Sequence, residues 1–498
     1  MARGLDRQSA QSAITVDRTL AVPLFRQVYD RVRVGIANRT FQPGARLPSE
    51  RALADELGVA RGTIEDAYAL LAAEGYVERR GPAGSVVAPA LGHDSALPPY
   101  LLPLQVGGNL SPALAKERAP SPFRLGQPAL DAFPAKLWSR LLVRQARRPV
   151  GRQLGGRGHA PLRSAIARYL ALSRGVVCSP DQILITNGYQ GAIDLIARSL
   201  LRLGDDAWIE EPGYVPARLA LARTGARIVP VGVDRCGLRV TDGIAAAPCA
   251  RLAVTTPSHQ CPTCVALSLP RRLALLEWAA KTGAWIVEDD YDGEFHYGGR
   301  PLPALKSLDR QHRVIYAGSF SKTLHPELRL GFLVAPGDLV DRLDEAARLQ
   351  ASMPGSFMQA VVAAFMDEGH YARHLQRMRR LYASRRAALA EAMARTFGDA
   401  LPIDIEPGGM HLLGRLRTGV SDTEIAAAST EAALAVHALS SLSIARRPPR
   451  GLLLSFTNVP EQRALELCRR FHRAVGHLLG GVRGNVTDRR RKRAKTMR

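Results

Sequence analysis

The sequence has no long hydrophobic run. None approaches the roughly 18 apolar residues a membrane-crossing helix needs, so no membrane association is expected. Its first residues, MARGLDRQSAQSA, lack the apolar centre of a secretion signal. Cysteine is scarce: six scattered residues in 498 do not form a disulfide framework. Together these absences point to a reduced, cytoplasmic setting. Acidic side chains are also short, 45 against 68 Lys+Arg, which leaves a net charge of +23. A polyanionic partner, nucleic acid foremost, would balance it. An Ala- and Arg-rich coding bias is the plainer source of part of the excess. At 498 residues, 46% hydrophobic and 23% charged, the chain is globular and too long for one ordinary core, so two or more domains are expected.

One stretch organises the rest: Val314–Phe332, VIYAGSFSKTLHPELRLGF. It opens as a strand, turns through Gly318-Ser319-Phe320-Ser321 and presents Lys322; Arg329 follows before a second apolar run. A poorly hydrated lysine there could lose its proton and form a Schiff base. An ordinary solvated loop lysine is the plainer alternative.

Residues 1–20 read as a polar lead-in. Pro23–Ala37 has apolar residues at helical spacing. Arg51–Leu57 is a short helix with Ser49 as N-cap and Gly58 as stop, and a second helix spans Ala60–Glu74. Tyr76–Arg80 and Ser85–Ala88 form a hairpin around Gly81-Pro82-Ala83-Gly84. Two helices across a glycine turn, closed by a β-wing, make a winged helix-turn-helix. The run Leu47–Ala88 resembles the GntR regulators. That resemblance implies that Ala60–Glu74 enters the DNA major groove with Arg61 and Thr63 leading. Arg51 would grip the backbone, and the wing at Gly84 would reach a neighbouring groove or phosphate.

We read a winged helix-turn-helix at 21–89, a proline-rich linker at 90–122, an α/β domain at 123–482 and a basic tail at 483–498. In the α/β part, strand Gln182–Thr186 leads through Asn187-Gly188-Tyr189-Gln190 into a helix from about Gly191 to Leu203, an anion cradle common in such folds. Strand Ala284–Val287 ends in Glu288-Asp289-Asp290-Tyr291, where α/β folds bind ligands. A metal site or a solvated acidic loop would fit those carboxylates equally. The pair Cys261 and Cys264 invites a zinc or redox reading, but no second pair completes a tetrahedral site, and no metal is expected.

The lysine stretch resembles fold type I aminotransferases, which bind pyridoxal 5′-phosphate (PLP). The resemblance implies a mostly parallel sheet with a small C-terminal α+β subdomain. It implies a Schiff base on Lys322, with Asp289 at the cofactor's ring nitrogen and Tyr291 at its phenolic oxygen. Tyr214 would stack on the ring, and Ser319, Ser321, Arg329, Gly188, Tyr189 and Gln190 would hold the phosphate. Two positions depart from the pattern: Cys261 stands where those enzymes place an asparagine, and Leu453 where many place the arginine for a substrate carboxylate. His259 or Gln260 could stand in for the asparagine, and Arg450 lies three residues from the arginine's place. The domain order resembles the MocR subfamily of GntR regulators. This implies a head-to-tail homodimer on operator DNA that responds to PLP or to its adduct with a small amine or amino acid. A true aminotransferase with a tethered DNA-binding domain is the alternative.

Overall fold

The computed structural model describes residues 14–20, 22–81, 84–89, 121–147, 155–298, 303–349, 354–417, 419–444 and 449–480. All of the expected linker but its last two residues, and the whole basic tail, lie outside them. Two compact units divide the chain, Met1–Lys116 and Glu117–Arg498.

In the first unit, α1 (Leu24–Ala37), α2 (Glu50–Leu57) and α3 (Arg61–Ala73) precede an antiparallel hairpin, β1 (Val77–Arg79) and β2 (Ser85–Val87). Ser49 Oγ accepts from the Ala52 N–H, and Gly58 closes α2 in the left-handed conformation. Helix α3 buries Ile64, Ala67, Tyr68 and Leu71, one stripe of a 3.6-residue period. These pack with Val28, Val32 and Leu53, and with Ile14, so the lead-in is not wholly polar surface.

In the second unit, helices α4 (Ala135–Ala146) and α5 (Ala160–Ser173) come first. The chain then alternates: β3 (Ile183–Thr186), α6 (Gly188–Leu200), β4 (Asp206–Glu211), α7 (Val215–Ala222), β5 (Arg227–Asp234), β6 (Gly237–Leu238), α8 (Val240–Ala246), β7 (Leu252–Thr255), α9 (Leu269–Thr282), β8 (Trp285–Asp290), β9 (Val314–Ser319) and β10 (Gly331–Val334). The eight strands form one sheet in the order β3-β10-β9-β8-β7-β4-β5-β6. Strands β5, β4, β7, β8 and β9 run parallel, and β10 inserts antiparallel between β9 and β3. Runs such as Ile183–Thr186, Leu252–Thr255 and Trp285–Asp290 are buried at every residue, as a sheet covered on both faces requires.

Helices α10 (Val340–Leu349), α11 (Ser356–Asp367) and the 28-residue α12 (His370–Phe397) lead to a smaller antiparallel sheet. It is built from β11 (Ile403–Asp404), β12 (His411–Arg415), β13 (His437–Ala438) and β14 (Gly451–Ser455) in the order β11-β12-β14-β13, with α13 (Asp422–Glu431) and α14 (Ala464–Gly480) beside it. This is an α/β unit with a small α+β subdomain.

Most element ends shift by one to three residues from the sequence expectation, and two of these shifts bear on the site. Helix α6 starts at Gly188, three residues early, because Gly188 through Gln190 form its first turn rather than a loop before it. Strand β8 runs on through Glu288, Asp289 and Asp290, all buried, because each acid is enclosed by neighbouring strands and loops.

Candidate cofactor site and DNA-reading face

Lys322 follows the end of β9 by three residues and is half-buried. Its Nζ donates to the Gly126 carbonyl at 2.8 Å. Gly126 has φ +69°, which favours glycine, and a Cβ there would lie 2.3 Å from Nζ and displace the lysine tip. No pattern in the sequence marks this lone glycine. Burial lowers the Lys322 pKa, against the opposing pull of Cys261, Asp289 and Asp292. An amine that sheds its proton more readily is a better nucleophile. The next residue is clamped by α12: Tyr371 donates to Thr323 Oγ1 at 3.1 Å, and His374 Nε2 donates to the Thr323 carbonyl at 2.9 Å. Burial pushes the His374 pKa down to about 4, so that imidazole is neutral.

The three acids ending β8 meet different fates. Glu288 accepts from the Leu305 and Lys306 N–H groups, both at 2.7 Å. Asp290 Oδ2 accepts from Arg174 Nε and from the Tyr316 hydroxyl, again at 2.7 Å. Asp289 Oδ1 is buried with no partner, and so are the hydroxyls of Tyr291 and Tyr189. Orphaned buried polar atoms are uncommon, and three in neighbouring side chains mark a place built for a polar ligand. Burial pushes the Asp289 carboxyl well above the usual range; Tyr189 opposes this, while Asp290 and Glu210 add to it. Burial, then Asp292, raises the Tyr291 phenol. Among the described residues no group of three His, Cys, Asp or Glu side chains could hold a metal ion.

The anion cradle forms where two strands meet a helix start. Gly331 in β10 pairs with Thr186 on one side and Ser319 on the other. That register sets the end of β9 beside the start of α6. A Cβ at Gly331 would lie 2.8 Å from the Gly188 carbonyl carbon, so the close approach needs glycine. The first turn of α6, Gly188-Tyr189-Gln190, presents N–H groups without intrahelical partners, a ready anion site. Ser319 Oγ accepts from the Ser321 N–H at 3.1 Å. Arg329 is exposed and held at φ +48°, rare for a residue with a side chain and typical of strain at functional sites. The Tyr189 and Tyr214 rings lie 5.9 Å apart. Burial, then Asp289 and Cys261, pushes the Tyr214 phenol up to about 12, while Gln190 and Arg329 oppose the rise. The cofactor-site residues singled out in the sequence thus converge, except that neither stand-in for the missing asparagine is at liberty. Gln260 Nε2 donates to Glu210 (3.1 Å) and to the Pro212 carbonyl (2.9 Å), and its Oε1 accepts from Thr263. His259 is tied to Asp292 at 2.9 Å. Cys264 Sγ lies 3.2 Å from His411 Nε2, and both cysteines are free thiols. Leu453 is buried with Leu413 and Leu439, and Arg450 donates to the Val420 carbonyl at 3.1 Å, away from that cluster.

In the first unit Arg61 opens α3, exposed, and pairs with Glu65 at 2.8 Å. Glu65 is therefore occupied by the helix's own arginine. Thr63 is half-buried two residues on, Arg51 is exposed on α2, and Gly84 (φ +84°) leads into β2. Glu50 receives Arg79 at 3.1 Å, tying α2 to the wing strand.

The family model for aminotransferase class I and II matches residues 126–471, and that for the bacterial regulatory proteins of the gntR family matches 24–87. The chain is therefore a GntR-type DNA-binding unit joined to an aminotransferase-fold unit. It is 38% identical over 464 residues to the probable rhizopine catabolism regulatory protein MocR of Rhizobium meliloti, covering 90% of this chain and 92% of that one. It is 31% identical over 398 residues to the pyridoxine biosynthesis transcriptional regulator PdxR of Corynebacterium glutamicum, covering 77% and 82%. Among solved structures it is similar to the α-aminoadipate aminotransferase LysN of Thermus thermophilus, complexed with N-(5′-phosphopyridoxyl)-L-leucine: TM-score 0.66, 29% identity, 72% of this chain and 92% of that one. The chain belongs to the MocR subfamily of GntR transcriptional regulators. The cofactor of this fold is PLP, and the side chains fit it: a lysine of lowered pKa, an unpartnered carboxyl and phenol, and a helix-start cradle.

Proposed function

We propose that this protein is a cytoplasmic transcription regulator that holds PLP at Lys322 and changes its grip on operator DNA when PLP, or PLP joined to a small amine, is present. The observation that carries this is the set of orphaned polar atoms on Asp289, Tyr291 and Tyr189 around a lysine of lowered pKa. When bound, the cofactor supplies an aldehyde carbon that an amine can hold covalently. The chain's own groups then have distinct tasks. Lys322 offers the resident amine. Asp289 balances a protonated ring nitrogen, which restores the charge that burial suppresses. Tyr291 donates to the phenolic oxygen, and Tyr214 covers the ring. Ser319, Ser321 and Arg329 join the first turn of α6, Gly188-Tyr189-Gln190, around the phosphate dianion.

In the DNA-binding unit, α3 enters the major groove. Arg61 and Thr63 read base edges, Arg51 binds phosphate and the wing at Gly84 adds a second contact. The regulator acts as a head-to-tail homodimer that presents two such modules. Footprinting of the protein's own upstream DNA, with and without PLP and candidate amines, tests the reading. A footprint that changes with PLP in wild type but not in Lys322→Ala supports it, and one indifferent to PLP in both contradicts it. The presence of Lys322 and Asp289 also allows transamination; multiple-turnover amino transfer by the purified protein, lost in Lys322→Ala, would establish that second reading.

A further inference from the structure

We propose that the wing's grip on DNA is supplied by Arg46, a residue of the segment before α2, whose guanidinium binds a backbone phosphate; this deepens the DNA-binding reading above and rests on it. A phosphate contact that displaces counterions needs an uncompensated cation, because an arginine already paired with a carboxylate adds no net charge. The two arginines of the wing itself are so paired. Arg79 is held by Glu50 at 3.1 Å and also donates to the Glu65 carbonyl, and Arg80 is held by Glu78 at 2.8 Å. The two wing residues outside the described set, Pro82 and Ala83, carry no charge. Arg46 is exposed and has no ion pair among the described residues.

The backbone carries Arg46 to the wing turn. The Leu47 N–H donates to the Ser85 carbonyl and the Val87 N–H to the Ala45 carbonyl, both at 2.9 Å, so residues 45–47 lie as a third strand beside β2. Arg46 stands opposite Val86 across that antiparallel pairing, and Val86 stands opposite Glu78, which puts the three on one face. Running antiparallel to β2, the added strand heads toward the turn from which β2 comes. The chain then passes Ser49, the N-cap, into α2, so the start of α2 and the wing turn lie at the same end of the hairpin. Glu50, the first residue of α2, also meets Arg61, the first residue of α3, at 3.9 Å. The turn touches the guanidinium directly. A Cβ at Gly84 would lie 3.3 Å from Arg46 Nε and 3.4 Å from its Nη2, so the planar group rests against the bare Cα of Gly84. Gly84, at φ +84°, thus leaves room for a cation that the wing's own residues do not supply.

The test uses the full-length protein with PLP present and two short fluorescent duplexes: the protein's own footprinted upstream segment, and a scrambled one of the same composition. Anisotropy follows binding to each over a range of salt. Every phosphate neutralised adds about 0.9 to the fall of log K with log salt. Arg46→Ala is expected to lower that slope by about 1 and to weaken binding to both duplexes by the same factor. Arg46→Lys, which keeps the charge, should hold the wild-type slope. Replacing the neutral pair together, Glu78→Gln with Arg80→Gln, should leave the slope unchanged. An unchanged slope in Arg46→Ala overturns the proposal, and so does a loss confined to the upstream duplex, which would mean that Arg46 reads a base. A slope that falls in the paired replacement instead gives the contact to Arg80 and overturns it too. Arg46→Gln repeats the measurement if the alanine variant does not fold; if neither folds, the guanidinium is a strut of the wing and the proposal is overturned. Failure of the parent reading shows separately, as no salt-dependent binding of the wild type to either duplex.

Discussion

Asp289 bears a burden that its neighbours Glu288 and Asp290 have shed. Glu288 accepts from two backbone N–H groups and Asp290 Oδ2 from Arg174 and Tyr316, although Asp290 Oδ1 is also without a partner; Asp289 Oδ1 is buried without one and has no guanidinium beside it among the described residues. Its folded-state pKa stands above the ordinary carboxyl value, chiefly through burial, so the folded protein retains a proton that the unfolded chain gives up. The resulting loss of stability is absent below the unfolded pKa and grows as pH rises through the window between the two pKa values. In cofactor-free protein, Asp289→Asn should therefore raise stability at pH 7 by about 1–3 kcal/mol. Urea unfolding at pH 7 measures it, and the same variant should bind PLP more than about ten-fold more weakly. In the first unit, Arg61→Ala should weaken operator binding by about 1–3 kcal/mol and relax specificity at one base position. Fluorescence anisotropy against single-base operator variants reads both effects.

Strand β10 is the element on which the cradle depends, because Gly331 touches the backbone of Gly188. Gly331→Ala must push the start of α6 from β10, and the expected result is loss of at least about ten-fold in PLP affinity, the scale of one misplaced charge-assisted hydrogen bond. Titration of apo-protein with PLP checks it, with pyridoxal as control, since without a phosphate it should be little affected. Much of this architecture was legible in the chain. The Lys322 stretch has apolar runs, a small-residue turn and an arginine in order, and α1 to α3 carry caps and periodic apolar faces. The start of α6 was not, because Gly188-Tyr189-Gln190-Gly191 has the composition of a turn and becomes helical by packing under β10. The acids of β8 hid the end of a strand, since buried carboxylates break the hydrophobic pattern by which strands are recognised. Gly126 could not be found because its role is a contact across 196 residues. Leu453 was visible as a departure, but its place in a leucine cluster comes from three separate segments.

For the molecule as a whole, a regulator of this kind needs a coupling free energy between its DNA-reading and cofactor-holding units, and such coupling is reciprocal. If PLP shifts operator affinity by a given factor, saturating operator must shift PLP affinity by the same factor. A 5–150-fold effect is the usual range for such a coupling. Calorimetric titration of PLP into free and operator-bound protein should return the factor found by anisotropy, and unequal factors would mean the two ligands are not linked through one equilibrium. The excess of basic residues adds that operator affinity should fall steeply with salt. All of this depends on a covalent hold at one side chain. Reduction of the PLP-loaded protein with borohydride, followed by peptide mass mapping, tests that directly: the account predicts a phosphopyridoxyl label on the peptide containing Lys322 and its loss in Lys322→Ala, and a label on another lysine, or none, would contradict it.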